Sequence, residues 1–389
     1  MKTAAFAYGF RPFFLGVGLS GVVLVPLWAV HFSFRVPLAT DWPPMLWHAH
    51  EMLFGFVAAA IAGFLLTAVP SWTGQRGFAG VPLVLLSAIW LLGRLAAGTS
   101  VSWPFALVAV VDLAFLPALA ALLAWPLVRE RNRNTPLLFV LLALWLGNVA
   151  FHLGLWRNDT ELARQSLLAG INLVLLLITV IGGRITPSFT ATALRRRGIE
   201  GVVRAARGLT VLAVTLMILV TATDVAWPGS ALAGWIAAAA AVAQGARLVQ
   251  WQGWHVRSEP ILWILHLAYL WLPVGLALKA LSLLAAVPAA ASWLHALTVG
   301  AIATMILGVM TRVSLGHTGR PLYLHPLVTG AYLLVSAAAL TRILGAWLPV
   351  PGYAAAIALS AALWAAAFAL FLWVYAPILS TRRADGKSG

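Results

Sequence analysis

Residues 47–69 read WHAHEMLFGFVAAAIAGFLLTAV, and this stretch decides the fold of the chain. After Glu51 it carries no charged side chain, and a helix of about 20 apolar residues is enough to cross the hydrocarbon core of a bilayer. The stretch therefore predicts a transmembrane helix. The predicted helix begins with three polar side chains, those of His48, His50 and Glu51.

Similar apolar runs recur along the 389 residues, which are 62% hydrophobic and 9% charged, with a mean hydropathy of +0.96. Soluble domains carry charge on about a quarter of their residues. We therefore predict an all-α polytopic membrane protein with about twelve spans, forming a single transmembrane domain over residues 1–389. The predicted spans are 13–33, 48–69, 80–97, 103–128, 136–156, 165–188, 206–226, 230–251, 260–285, 291–314, 325–347 and 352–377.

The positive charges predict the orientation. Of the 25 Lys and Arg residues, 19 lie at the termini, in the even-numbered loops or at the adjoining helix ends, and 6 lie on the opposite side. The positive-inside rule then places both termini in the cytoplasm, in a protein expected in the cell inner membrane. The basic group at 195–207 is either this topology signal or a contact for anionic lipids of the bilayer. Nucleic acid is not an expected partner, because the net charge of +15 is spread over short loops.

The absence of cysteine narrows the possible metal chemistry. Disulfides, iron–sulfur clusters and thiolate-bound haem or copper are excluded. A metal site must use histidine, methionine, carboxylate, tyrosine or backbone ligands. The predicted topology places five histidines near the periplasmic side, namely His31, His48, His50, His152 and His295.

The start of the second span offers two candidate metal ligands and one candidate acid. In a helix, His48 and His50 point about 200° apart and serve different sites, whereas a loop at His48 would let them share one metal ion. Glu51 lies three residues after His48, so its carboxylate is expected to orient that imidazole or to carry a proton. We therefore name Glu51 as the candidate catalytic residue.

Further candidates lie at other helix ends. His152, in the last turn of the fifth span, is either a metal ligand or a cation that caps the helix. His295, at the start of the tenth span, suits haem iron or copper. On the cytoplasmic side, Arg184 and Arg312 either anchor the topology or bind carboxylates such as those of haem. His266 and His317 lie on that side too, and both are predicted to contribute to cofactor binding.

Two charged residues fall inside spans and have several possible roles. Asp112 in the fourth span and Lys279 in the ninth either pair with each other, line a wet path, or extend their charged ends to the interface.

Several segments together resemble the NnrS family: Gly9 to Phe14, Trp47 to Phe56, Gly63 to Gly74, the segment around Arg184, and His295 to Arg320. The resemblance spans nearly the whole chain. It implies a twelve-helix membrane protein that binds haem and copper and is tied to denitrification and protection from nitric oxide. Within that framework we predict His50 and His295 as an axial haem pair, and His48 and His152 as copper ligands.

Two classes of function follow as expectations. The first is an oxidoreductase that reduces nitric oxide at haem and copper, with electrons from quinol or an external donor. The second is a transporter or sensor whose helices, broken at 182–187 and 315–319, form a gated path for a metal or a signal. No internal repeat is apparent in the sequence, which counts mildly against transport.

Overall fold

A computed structural model describes residues 4–387 of the chain. The described residues form helices and no strands, and twelve helices are long and apolar enough to cross a membrane, which confirms the predicted all-α fold. We number them α1 Phe10–Phe34, α2 Pro44–Thr73, α3 Val81–Gly98, α4 Phe105–Arg129, α5 Leu137–Trp156, α6 Thr160–Arg196, α7 Arg207–Ala226, α8 Ala231–Gln250, α9 Pro260–Leu284, α10 Pro288–His317, α11 Pro326–Trp347 and α12 Val350–Ser380.

The predicted bounds are too short for some helices, and α6 shows why. Its predicted span, 165–188, ends where polar residues begin, yet the helix continues to Arg196. Arginine is a good helix former and is favourable in a last turn, so the helix outlasts its apolar run. Pro187 lies inside this continuous helix, so the break expected near that residue is absent.

Within residues 4–387, three helices contain a π-helical segment, in which each turn holds about one extra residue. These segments are Glu51–Val57 in α2, Ile178–Gly182 in α6 and Ala296–Ala303 in α10. Such segments are frequent at functional sites, and the one in α2 begins at the candidate acid Glu51.

The contacts divide the chain into two compact units. The first comprises the chain up to Gly170, together with Met310–Leu322 and the chain from Phe368 onward. The second comprises Ile171–Val309 and Tyr323–Ala367. Each unit is built from separate stretches of the sequence, so neither is a contiguous domain. The prediction of a single transmembrane domain over residues 1–389 stays a prediction.

In the first unit, the two ends of the chain are joined near α1. The buried Arg11 donates from Nη1 to the carbonyl oxygens of Leu379 and Thr381, at 2.9 and 2.7 Å. These carbonyls belong to the end of α12, where a helix leaves its last carbonyls without internal partners. Arg11 therefore caps α12, and these contacts account for the burial of its positive charge.

Candidate metal centre

Asp112 of α4 is the centre of a buried polar cluster in the first unit. Its Oδ2 atom lies 3.1 Å from His50 Nε2 on α2 and 3.0 Å from His152 Nε2 on α5. The same oxygen accepts a hydrogen bond from Asn148 Nδ2 on α5 at 2.7 Å. Side chains from three helices therefore meet at one carboxylate oxygen.

A fourth helix, α3, adds a positive charge. Arg94 donates from Nη1 to Glu51 Oε1 and from Nη2 to Asp112 Oδ1, so one guanidinium joins both carboxylates. With neutral imidazoles, two carboxylates against one guanidinium leave one negative charge in the cluster. An uncompensated buried charge is costly, so the cluster favours a further cation, either a proton on an imidazole or a metal ion.

Helix geometry brings these side chains together. Asn148 and His152 are four residues apart on α5 and therefore share a face. His50 ends the first α-helical turns of α2, and Glu51 begins the π-helical segment. The imidazole Nδ1 of His50 lies 3.1 Å from Glu51 Oε1, so both ring nitrogens of this histidine have partners inside the cluster.

Aromatic rings enclose the cluster. Phe151 stacks on the His50 ring with centroids 4.6 Å apart, and Trp42 meets the rings of His50 and His152 edge-on at 5.0 and 5.5 Å. His50, Asp112 and His152 are 0%, 3% and 4% exposed. Such an enclosure excludes water and strengthens the electrostatic interactions within it.

Four buried polar atoms of the cluster and its enclosing rings have no hydrogen-bond partner among residues 4–387: Glu51 Oε2, Arg94 Nε, His152 Nδ1 and the indole nitrogen of Trp42. Native proteins pair nearly all such atoms, and the exceptions often mark a catalytic role or an ion. The cluster therefore has bonding capacity beyond what its own side chains use.

The arrangement is suited to a metal ion. One nitrogen from each of His50 and His152 and one oxygen of Asp112 all lie within 4.8 Å of one another. Imidazole and carboxylate ligands lie about 2.0–2.2 Å from a metal such as zinc, which puts neighbouring ligand atoms roughly 3 Å apart. Asn148 Oδ1, 3.0 Å from His50 Nε2, is a further oxygen donor. The contact between His50 and Glu51 resembles the carboxylates that fix the tautomer of a metal-bound imidazole.

The family model described as NnrS protein matches residues 4–383. The chain belongs to the NnrS family. Membership confirms the resemblance noted in the sequence and makes this a multi-pass membrane protein linked to the nitric oxide response, in a family associated with metal and haem binding. No curated protein matches the chain.

The structure of this NnrS-family protein brings together three predicted site residues, His50, Glu51 and His152. His48 lies on the same helix but is not a member of the His50, Asp112 and His152 group, and its ring stacks on Trp28 of α1 at 4.6 Å. The helical alternative for this segment therefore holds. Glu51, expected to orient His48, contacts the ring of His50 instead. Copper binding by His48 and His152 stays a prediction.

The remaining predicted residues are distributed over both units. Arg312 and His317 belong to the first, whereas Arg184, His266 and His295 belong to the second. His266 Nε2 lies 2.8 Å from Thr190 Oγ1, and the His317 ring lies 6.0 Å from that of Tyr8. The haem contacts expected of these five residues stay predictions, as does the axial pair of His50 and His295.

Sequence reasoning missed Arg94 and Asn148. The sequence does indicate that Arg94 is unusual, because it is one of only six basic residues on the predicted periplasmic side, where the positive-inside rule expects few of them. Asn148 stands four residues before His152, a spacing that indicates a shared helix face.

The proposed pairing of Asp112 with Lys279 is wrong. In the second unit, Lys279 Nζ donates to Asp224 Oδ2, and Asn172 Nδ2 donates to the same oxygen at 2.8 Å. The ring of Trp293 lies 4.9 Å from the ammonium. Nothing in the sequence distinguishes Asp224 from Asp112 as the partner, because the choice depends on which helices are neighbours.

Proposed function

We propose that His50, Asp112 and His152 bind a redox-active metal ion, in the first place copper, and that the protein uses this centre together with haem to reduce nitric oxide. The observation that supports the proposal is the buried ligand group around Asp112 with its surplus negative charge. Membership of a family linked to the nitric oxide response supports nitric oxide as the substrate of this proposal.

The donor set agrees with this choice of metal. Two imidazoles with carboxylate and amide oxygens suit copper, and the pair of histidines with one carboxylate also suits ferrous iron. The chain has no cysteine, so imidazole nitrogens with carboxylate and amide oxygens are the ligands that this cluster offers. When bound, such an ion supplies electron exchange and stabilises charge that develops on the substrate.

The overall reaction consumes protons. Two nitric oxide molecules, two electrons and two protons give one nitrous oxide and one water, as a nitrogen–nitrogen bond forms and one nitrogen–oxygen bond breaks. A quinol or an external donor provides the electrons. Glu51 is placed to pass a proton, since Arg94 and His50 hold its Oε1 while Oε2 has no partner among the described residues.

The surroundings suit a small apolar substrate. Trp42 and Phe151 cover the imidazoles and exclude water, while nitric oxide partitions into hydrocarbon and needs no polar channel. We place the protein in the cell inner membrane, because the outer membrane of bacteria is spanned by β-barrels rather than by bundles of apolar helices.

Metal analysis and nitric oxide consumption of the purified full chain test the proposal. His50→Ala and His152→Ala should each lose the non-haem metal and lose turnover under anaerobic conditions with a reductant. His31→Ala is the matched control, because His31 contacts a backbone carbonyl at the exposed end of α1. A parent protein without non-haem metal contradicts the metal centre, and nitric oxide binding without consumption would make the protein a sensor.

A further inference from the structure

Two helices, α2 and α10, carry the same residues at the same spacing. The sequence alone did not make this repeat apparent, because the residues between the shared positions differ. The shared positions are His50 and His295, Gly55 and Gly300, Gly63 and Gly308, Thr73 and Thr318, and Gly74 and Gly319, with every pair separated by the same length of chain.

The backbone repeats in the same register. In each helix the π-helical segment begins at the residue after the histidine, at Glu51 in α2 and at Ala296 in α10. Each repeat also ends at a glycine in the left-handed conformation, with φ +67° at Gly74 and +70° at Gly319. The π-helical segment of α6 follows Leu177 instead of a histidine. The agreement is therefore specific to α2 and α10, and it makes His295 the counterpart of His50.

The charges around the two histidines differ. Glu51, which contacts His50, corresponds to Ala296 in the repeat. The turn that carries His295 also carries Trp293, whose ring covers Lys279, and this lysine is neutralised by Asp224. The carboxylate that contacts His50 thus has no counterpart at position 296 of the repeat.

This difference selects between two kinds of metal group. A bare metal ion in a low-dielectric site needs anionic ligands to balance its charge, and the cluster around Asp112 provides them. Haem brings two negative charges on its porphyrin ring, so its iron needs no more than a neutral imidazole from the protein. His50 is fully buried and uses both ring nitrogens within the first unit, whereas His295 is only partly buried.

We propose that α10 is a second copy of α2 in which His295 holds the haem iron in a site of its own, while His50 belongs to the non-haem metal centre. This inference rests on the proposed function, which supplies the premise that the protein holds both haem and a non-haem metal ion. It competes with the earlier prediction that His50 and His295 ligate one iron.

The absorption spectrum and the metal content of single variants of the full chain decide between the two arrangements. His295→Gly should lose most of the Soret absorbance per protein and keep the non-haem metal, and added imidazole should restore the band. His50→Ala should keep the Soret band and lose the non-haem metal. His325→Ala is the control, because this exposed histidine caps the start of α11 through its side chain, and it should change neither.

Other results would overturn the proposal. Loss of the Soret band in both the His50 and His295 variants would show a shared iron, and a parental band in His295→Gly would remove His295 from the site. If the glycine variant yields no protein, His295→Met keeps a ligand for iron and should shift the band, whereas an unshifted band overturns the assignment. If the parent protein contains haem but no other metal, the metal centre at Asp112 is refuted. The assignment of haem to His295 is still tested in that case, because the Soret band of the His295 variants can be measured.

Discussion

Each of the two units buries an aspartate among apolar helices, but the two aspartates have different partners. In the first unit, Asp112 contacts two imidazoles, an amide and a guanidinium. In the second, Asp224 contacts the ammonium of Lys279 and the amide of Asn172. Asp112 and Asp224 are almost equally buried, at 3% and 4% exposed.

The comparison shows how partners decide the role of a buried acid. An ammonium supplies a full positive charge and no lone pair, so the pair formed by Lys279 and Asp224 is neutral and offers no nitrogen ligand. A neutral imidazole keeps a lone pair that can bind a metal ion. Glu51 adds a second negative charge, and the single positive charge of Arg94 balances only one of the two carboxylates. The first cluster is therefore suited to bind a cation, and the second to hold helices together.

The largest expected effect comes from neutralising each aspartate in turn. Asp224→Asn should lower the free energy of unfolding by about 3–5 kcal/mol, because it leaves the buried ammonium of Lys279 uncompensated. Asp112→Asn should lower it by less, because Arg94 keeps its ion pair with Glu51. Only Asp112→Asn should also lose the non-haem metal. Thermal unfolding in detergent and metal content per protein measure the two quantities. Parental metal content in Asp112→Asn would remove the distinction between the clusters.

A second test replaces both members of each pair. Asp224→Asn combined with Lys279→Met should recover most of the stability lost in either single variant, because an apolar replacement of a buried ion pair is often neutral. Asp112→Asn combined with Arg94→Met should not recover, since Glu51 and the two imidazoles lose their partners as well. The measurement is the unfolding midpoint of all single and double variants. Equal recovery in both units would mean that the first cluster is only a structural ion pair.

A smaller effect is expected from Glu51→Gln. Glutamine keeps the size and the hydrogen bonds of the side chain but cannot donate a carboxylic proton, so metal content should persist while nitric oxide turnover falls tenfold or more. Glu161→Gln, at an exposed glutamate near the start of α6, is the control. Full turnover in Glu51→Gln would reject the proton relay, and loss of metal would assign Glu51 to positioning His50.

The smallest expected effect on stability concerns the exposed ion pair of Arg383 and Asp385, which is a reference for the two buried clusters. The guanidinium of Arg383 beside Asp385 holds the pKa of that carboxyl below its ordinary value. The pair therefore stabilises the C-terminal segment above a pH of about 4, the ordinary carboxyl range, and this contribution is lost as the pH falls through the lowered pKa. Because water screens the attraction between exposed charges, the loss of stability at acid pH should be slight.

The amide of Ala384 reports this change, because it donates to the carbonyl oxygen of Thr318 at 2.9 Å. Once the intrinsic pH dependence of hydrogen exchange is subtracted, its protection should decline at acid pH in the parent. In Asp385→Asn the protection should not vary over the same range. A parental profile in that variant would show that the ion pair does not hold the segment.

Part of the candidate centre could be predicted from the sequence. A histidine, a glutamate or an aspartate inside an apolar run is too costly to face lipid, so His50, Glu51, His152 and Asp112 stand out without a structure. Their partners do not stand out in this way. Arg94 lies 43 residues from Glu51 and Asn148 lies 98 residues from His50, and no local pattern joins such positions.

The sequence by itself determined that this is an all-α protein with twelve spans, because long apolar runs in a bilayer must satisfy their backbone groups internally. It also determined which polar residues must turn away from lipid. Only the tertiary structure decided that Asp112 meets two imidazoles while Lys279 meets Asp224, and that α2 and α10 change to π-helical turns after a histidine. The reason is physical: hydropathy depends on each residue alone, whereas a buried charge takes its partner from whichever helix packs beside it.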